Sequence, residues 1–362
     1  MPILLVLTLA LSFWAAPIQP EVMPPDTQAK AAEAGAEEAE AAQWASQRKE
    51  VIEAVGRTLT RRAFATGVDF RAWDEKIAQA EDKFDDAADP ARLALEVNRV
   101  LETYGISHVR LKAPTERPEA PRESSSVQLR QPGAAPRVPG RENQTLAWEP
   151  GDIAVLKLRS FDDDQYDRTK IEAFVDEIQP RAKGIIIDLR GNGGGAVTAM
   201  SHLLGLFIPK DTAIGVYVNR DMAGAFEREN GAAAKSASEI AAWTDRKYRV
   251  RRNAKEPLTI PVAVLLSRGS ASASEIVASA LRDHRNAVIL GQRSAGKVLL
   301  SVHARLPHGF ELQYPTADYV TSRGVRLEGS PIMPHIVIPG NGRGPQARTA
   351  VSAAAEVLVN GL

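Results

Sequence analysis

PVAVLLSRGSASASEIVASALRD, residues 261–283, joins an apolar run to a helical pattern through the corner Ser270, Ala271, Ser272, Ala273, Ser274 and Glu275. A short run of Val, Ala and Leu reads as a strand buried on both faces, and the spacing of Ile276, Val277, Ala280 and Leu281 reads as one side of a helix. A strand-to-helix corner exposes the side chain that sits on it, and the helix behind offers free N–H groups and the positive end of its dipole. A serine placed there has the setting of a nucleophile whose oxyanion the helix stabilises. The same letters also spell S-x-x-E at Ser272 and Glu275, a capping box that only starts a helix. This segment alone leaves both readings open. The letters SASEI recur at 236–240, but behind Ala232, Ala233, Ala234 and Lys235 with no strand in front, which reads as an ordinary helix.

Working outward, the cadence is β-α-β. IAVLKL precedes a polar helix from about Asp167, then come GIIIDL and a helix through Met200 and Leu204, and after the corner AVILG. VLLSVHARL and FELQY pair like a hairpin around His308 and Gly309, a polar Ala-rich helical insertion fills 218–250, and 346–359 reads as a closing helix. Apolar strands separated by helices predict an α/β layered domain over 148–362 with a mostly parallel core.

The amino-terminal part is different in kind. Residues 3–16 form an apolar run ending in small residues, which reads as a signal peptide or anchor over 1–20 and predicts an exported protein, periplasmic or secreted. The run is shorter than the ~20 residues a spanning helix needs. An Ala/Glu/Pro-rich tether occupies 21–43. Residues 44–113 carry Val51, Ile52, Val55, Leu59, Leu93 and Val100 at helical spacings and read as a small helical domain, closed by a short strand in HVRLKA from His108. Six prolines mixed with Arg, Ser and Gly make 114–147 a linker without order of its own. Lys plus Arg and Asp plus Glu number 45 each, so no net field draws the chain to nucleic acid, and any membrane contact falls to the amino-terminal run. Cys is absent, which excludes disulfides, thiolate metal sites and cysteine nucleophiles.

Two further segments carry chemistry. GIIIDLRGNGGGAVTAM, 184–200, ends a strand at Asp188 and turns through Asn192, Gly193, Gly194 and Gly195, whose backbone N–H groups suit an anion or an oxyanion; Asp188 and Arg190 read as braces of that turn. In NAVILGQRSAGKVLLS, 286–301, Gly291, Gly296 and Lys297 have P-loop spacing, but Val298 stands where Ser or Thr would hold magnesium and a strand follows instead of a helix. Ser294 and Lys297 spell S-x-x-K, which needs one helical turn that Gly296 opposes. The remaining reading pairs Lys297 with Ser272 across adjacent strand ends. A lysine serves as base only when neutral, so this reading expects burial to lower its pKa from about 10.4 by some three units, about 4 kcal/mol. None of His108, His202, His284, His303, His308 and His335 has metal spacing or stands out by its surroundings, and a Ser/His/Asp arrangement stays open on the sequence.

Taken in order, GIIIDLRGNGGG, GSASASEI, GQRSAGK and GSPIMPHIVI resemble the C-terminal processing, or tail-specific, serine proteases, over about residues 151–338. The resemblance implies a crotonase-like or Clp-protease-like layered core beside a helical amino-terminal part, a polypeptide substrate and no cofactor or metal. It implies Ser272 as nucleophile, Lys297 as base, and N–H groups of Ala273 and Gly194 as the oxyanion hole, with Asp283 matching an aspartate implicated in some members. Three departures go with it. No PDZ domain fits between the helical part and the core, Ser301 stands where the family often has glutamine, and Val298 and His335 replace a glycine and an aspartate. A non-catalytic peptide-binding or apolar-ligand-binding protein and a small-ester hydrolase are the competing functions on the same fold.

Overall fold

A computed structural model describes residues 25–114, 128–130, 142–251, 256–339 and 345–360. The exported leader predicted for 1–20 lies outside the described residues. None of the described helices is long and apolar enough to cross a membrane. The chain divides into two units, Met1–Ser46 and Gln47–Leu362.

Helix α1 (Pro25–Arg62) runs through the predicted tether without a break. Its later turns bury Val51, Val55 and Leu59, and α2 (Trp73–Ala78), α3 (Glu81–Asp85) and α4 (Pro90–Glu102) add Trp73, Phe84, Leu93, Val97 and Leu101. Asp89 caps α4 by accepting from Arg92 N at 2.7 Å, with Pro90 at the first position, where its missing N–H costs nothing. Strand β1 (Arg110–Lys112) starts two residues later than HVRLKA suggested, because His108 takes a left-handed φ of 61°.

Next come β2 (Gln128–Arg130), β3 (Gln144–Glu149), β4 (Ile153–Leu158), α5 (Arg168–Ile178), β5 (Gly184–Asp188), β6 (Gly194–Ala196), α6 (Val197–Gly205) and β7 (Ala213–Asn219). Then follow α7 (Arg220–Asn230), α8 (Ala237–Trp243), β8 (Tyr248–Arg249), β9 (Val262–Leu266), α9 (Ala273–Arg285), β10 (Val288–Gly291), β11 (Leu299–Arg305), β12 (Glu311–Thr321), β13 (Ile336–Val337) and α10 (Pro345–Asn360). The repeated SASEI lies at the start of α8, where Ser236 caps by accepting from Glu239 N.

The parallel core takes the order β13-β10-β9-β5-β4-β3, antiparallel only between β4 and β3. Its strands are apolar on both faces because both faces are covered. Ile186, Ala263 and Leu265 pack with Ala350 and Ala354 of α10, while Ile185, Ile187, Val264 and Leu266 pack with α5, α6 and α9 on the other side. A second, antiparallel sheet in the order β6-β2-β11-β12-β7-β8, with β1 added to β12, backs those helices. Its far face packs Val216, Val218 and Val320 against Met222, Phe226 and Ile240 of α7 and α8. The sequence reading gave the β11–β12 hairpin of this sheet but not the sheet itself.

Two described parts of the segment read as a linker over 114–147 are strands. Residues 128–130 are a strand between β6 and β11, and β3 begins at Gln144 and pairs along β4. Backbone pairing asks little of side chains, so a Pro- and Arg-rich composition conceals it.

Gly291 closes β10 with φ 109°, and a Cβ there would stand 2.2 Å from Leu266 O. We therefore expect Gly291→Ala to destabilise the fold by about 3 kcal/mol, read as a lowered urea midpoint.

Candidate active site

The β9–α9 corner is a sharp turn. Ser272 precedes the first residue of α9 with φ 57° and ψ −118°, the strained backbone that lifts a corner side chain away from both elements, and it is fully buried. Its two serine neighbours have fixed duties. Ser270 Oγ donates to Leu189 O at 2.8 Å, and Ser274 Oγ donates to Asn192 O at 2.9 Å. Ala271 N donates to the same Asn192 carbonyl at 3.0 Å. The flanking serines thus sew the corner to the glycine turn. Among the three, Ser272 alone holds the left-handed backbone.

Glu275 is more than a cap. Its carboxylate accepts from Ser272 N at 3.1 Å, Gly296 N at 2.8 Å, Lys297 N at 3.0 Å and, in a short contact, Ser294 Oγ. Burial pushes its pKa up, against the pull of these four donors. Ser272 N also donates to Lys297 O at 3.0 Å. The 270–275 corner and the lysine turn are therefore one hydrogen-bonded body. The P-loop and S-x-x-K readings fail here, since Lys297 leads through Val298 into strand β11.

The structure corrects one expectation. Lys297 is an exposed residue, where the sequence reading expected burial. Only its backbone is held, because its side chain extends from a turn and not from the buried strand β10.

The other predicted residues divide. Ala273 opens α9, where its N–H has no intrahelical partner. Gly194 donates its N–H to Asn192 Oδ1 at 2.9 Å, so that donor is engaged within the turn. Gly195, at φ 146°, lies against the Phe161 backbone, where a Cβ would come within 2.2 Å. Ser301 is buried on β11 and accepts from Gln313 Nε2 at 2.9 Å, so an amide reaches this position from the neighbouring strand. Asp283 lies about 16 Å along α9 from Ser272 at 1.5 Å per residue, paired with Arg282 and Arg323, and is remote from the corner. Asp188 braces the glycine turn as expected. Burial raises its pKa, but Arg190 and Lys157, each with a 2.8 Å contact, hold it below the usual carboxylate range.

Sequence reasoning missed the contribution of the amino-terminal part. Glu328, buried after β12, accepts from Val298 N at 2.7 Å, beside Lys297, and from Ser107 N at 2.7 Å and Ser107 Oγ at 2.8 Å. Ser107 in turn contacts His108 Nδ1 at 2.5 Å. His108 is fully enclosed, and desolvation, aided by the charge of Lys297, lowers its pKa from 6.5 to about 3. The only sequence signal was a His at the start of a short strand, which distinguishes nothing.

With this geometry in view, the class is defined by comparison. Residues 152–338 match the profile of peptidase family S41, and the chain belongs to that family. It is similar to the carboxy-terminal-processing protease of Bartonella bacilliformis, 31% identical over 193 residues, covering 52% of this chain and 39% of that protein. A carboxyl-terminal-processing protease of Synechocystis is 32% identical over 157 residues, covering 43% of this chain and 31% of the relative. The chain thus spans well under half the length of these curated relatives. Among solved structures, a putative peptidase from Parabacteroides merdae shares the fold at TM-score 0.57 and 16% identity, covering 86% of this chain and 96% of that one. The photosystem II D1 C-terminal processing protease does so at TM-score 0.53 and 16% identity, covering 85% and 97%.

Two predictions follow from these contacts. Glu275→Ala takes the acceptor from four donors, of which Ser272 N keeps Lys297 O, and is expected to cost about 3–5 kcal/mol, whereas Glu275→Gln, which keeps an acceptor, loses less; thermal unfolding of both variants checks this. For His108 the folded pKa lies below the unfolded one, so the unfolded chain takes up the proton first and stability falls as pH drops from about 6.5 toward 3. Glu275 and Glu328, both raised by burial, act in the opposite sense, their contribution declining as pH rises through their folded pKa. The difference between wild type and His108→Asn isolates the imidazole. Between pH 7 and pH 5 the wild type should lose about 2 kcal/mol more than the variant in urea titrations.

Proposed function

We propose that this chain is a serine endopeptidase acting on unfolded or extended polypeptides, with Ser272 as nucleophile and Lys297 as general base. The observation that carries the reading is the backbone hydrogen bond from Ser272 N to Lys297 O at 3.0 Å, which keeps the two residues side by side at the head of α9. The names of the curated relatives, carboxy-terminal-processing proteases, support a polypeptide substrate. Export, periplasmic or secreted, is part of the same proposal and rests on the apolar run at 3–16.

In this reading an extended substrate docks as an added strand and covers the corner. That cover supplies the desolvation Lys297 lacks in the free protein and favours its neutral form. Ser272 Oγ bonds to the peptide carbonyl carbon while its proton passes to Lys297 Nζ. The oxyanion is stabilised by Ala273 N–H and the dipole of α9, and by Gly194 N–H once Asn192 Oδ1 releases it. Collapse breaks the C–N bond, with the proton going from Nζ to the leaving amine, and leaves an ester on Ser272. Water then attacks the ester, Lys297 takes one of its protons and passes it to Ser272 Oγ as that oxygen leaves, and the new carboxylic acid departs and ionises in solvent.

Purified full-length chain incubated with a disordered polypeptide should yield internal cleavage products by mass spectrometry, and Ser272→Ala and Lys297→Ala should each lower the rate by about 10³-fold or more. Binding without products, or hydrolysis confined to small activated esters, would sink the endopeptidase reading.

A further inference from the structure

Strand β2 comes from the Pro-rich stretch ahead of the core and pairs on both sides, with β6 across Gly194–Ala196 and with β11 at Ser301. The two strands that flank it grow out of the two segments that hold Ser272. β6 begins two residues after Asn192, whose carbonyl takes Ala271 N and Ser274 Oγ. β11 begins two residues after Lys297, whose carbonyl takes Ser272 N. The gap that β2 fills therefore opens at one end onto the corner.

The backbone of the glycine turn shows which groups face that gap. Phe161 N donates to Gly194 O at 2.9 Å and Ala196 N donates to Phe161 O at 2.8 Å, so one edge of β6 is taken by Phe161. Successive residues of a strand point their backbone groups to opposite edges, so Gly195 turns its N–H and C=O the other way, toward Leu129 in the register opposite. Any extended chain laid there satisfies Gly195 equally well, because main chain alone is used. Such pairing binds an extended polypeptide with little regard to its sequence.

Direction adds the chemistry. β2 is antiparallel to both neighbours, and since these run away from the corner, β2 runs toward it. A polypeptide laid in the same sense points its carbonyl end at Ser272. The residues in the gap are then those on the amino side of the cut bond, the half that stays on Ser272 as an ester.

We propose that the gap between β6 and β11 seats the acyl half of the substrate, and that β2 is the chain's own occupant of this seat, displaced when a substrate strand enters. The proposal rests on the Ser272/Lys297 reading for its chemistry and on backbone pairing alone for the seat. β2 is suited to give way, since it has only three residues and Pro132, two positions on, has no N–H with which to extend the ladder. A resident strand lowers the apparent affinity for substrate in proportion to the fraction of molecules in which the seat is open.

Two measurements on the full chain test this. In the first, Leu129→Pro removes the N–H that serves Gly195 and so weakens β2. On a disordered polypeptide its KM should fall about 10-fold below wild type with kcat unchanged. The synthetic peptide SVQLRQ, which has the sequence of residues 126–131, should inhibit Leu129→Pro competitively and at lower concentration than it inhibits wild type. In the second, hydrogen exchange is followed in Ser272→Ala, which leaves β2 intact and cuts nothing. Amides of 128–130 should be protected in the protein alone and exposed when SVQLRQ is added, while 194–196 and 299–303 stay protected. A raised KM or lost kcat in a Leu129→Pro protein that melts like wild type makes β2 a fixed wall of the site and overturns the proposal. Protection of 128–130 that persists with the peptide bound, or is absent without it, overturns it too, and decides alone if Leu129→Pro melts below wild type. Displacement of β2 by the peptide in a chain that cuts no polypeptide, even as Leu129→Pro, leaves the seat standing and sinks the peptidase reading.

Discussion

The site depends on one buried carboxylate taking hydrogen bonds from two parts of the chain that are separate in sequence. Glu275 sits in the first turn of α9, where a carboxylate is favoured by the helix dipole, and it collects N–H groups from the nucleophile corner and from the 294–297 turn. Without it Gly296 N and Lys297 N would lose their acceptor, and an N–H left unpaired in a protein interior is costly. Because one group serves them all, the relative position of the two segments is fixed by a requirement of folding and is not left to flexible side chains. The strained backbone of Ser272 is affordable in such a frame, since bonds on both sides over-determine it.

The glycine turn is attached by the same logic. Asn192 uses its carbonyl to receive Ala271 N and Ser274 Oγ, its Oδ1 to receive Gly194 N, and its Nδ2 to reach Leu158 O at 3.1 Å. One fully buried residue, through its side chain and its carbonyl, thus links β4, the turn after β5 and the corner after β9. The parallel sheet supplies the register, with β5 and β9 adjacent and in step, so that both corners emerge at the same edge. This is the general habit of parallel α/β sheets, whose functional groups gather beyond the carboxyl ends of the strands.

What the sequence made legible was what is local. The strand-corner-helix at 261–283 could be read because buried strands and amphipathic helices leave periodic marks, and Ser272 and Glu275 could be recognised as cap partners three residues apart. That Glu275 also binds Gly296 and Lys297 could not be read, since those contacts span about twenty residues and involve backbone groups that every residue possesses. The exposure of Lys297 was missed for a related reason: apolar letters before and after it describe the strands, not the direction a side chain takes from a turn. Strand β2 was hidden because its partners are backbone edges, and His108 because its enclosure is made by Ser107, Glu328 and the packing of a distant strand. The second sheet was half legible, through the hairpin whose two strands are neighbours in the chain.

The stitching of β1 onto β12 and of Ser107 onto Glu328 sets an order of events during synthesis. The earlier partner of each pair leaves the ribosome some two hundred residues before the later one, a wait on the order of 10–40 s at ordinary translation rates. Until that interval ends, the corner lacks the contacts that tie it to the amino-terminal part of the chain. A chain assembled in this order closes around the corner only when nearly all of the described core is available.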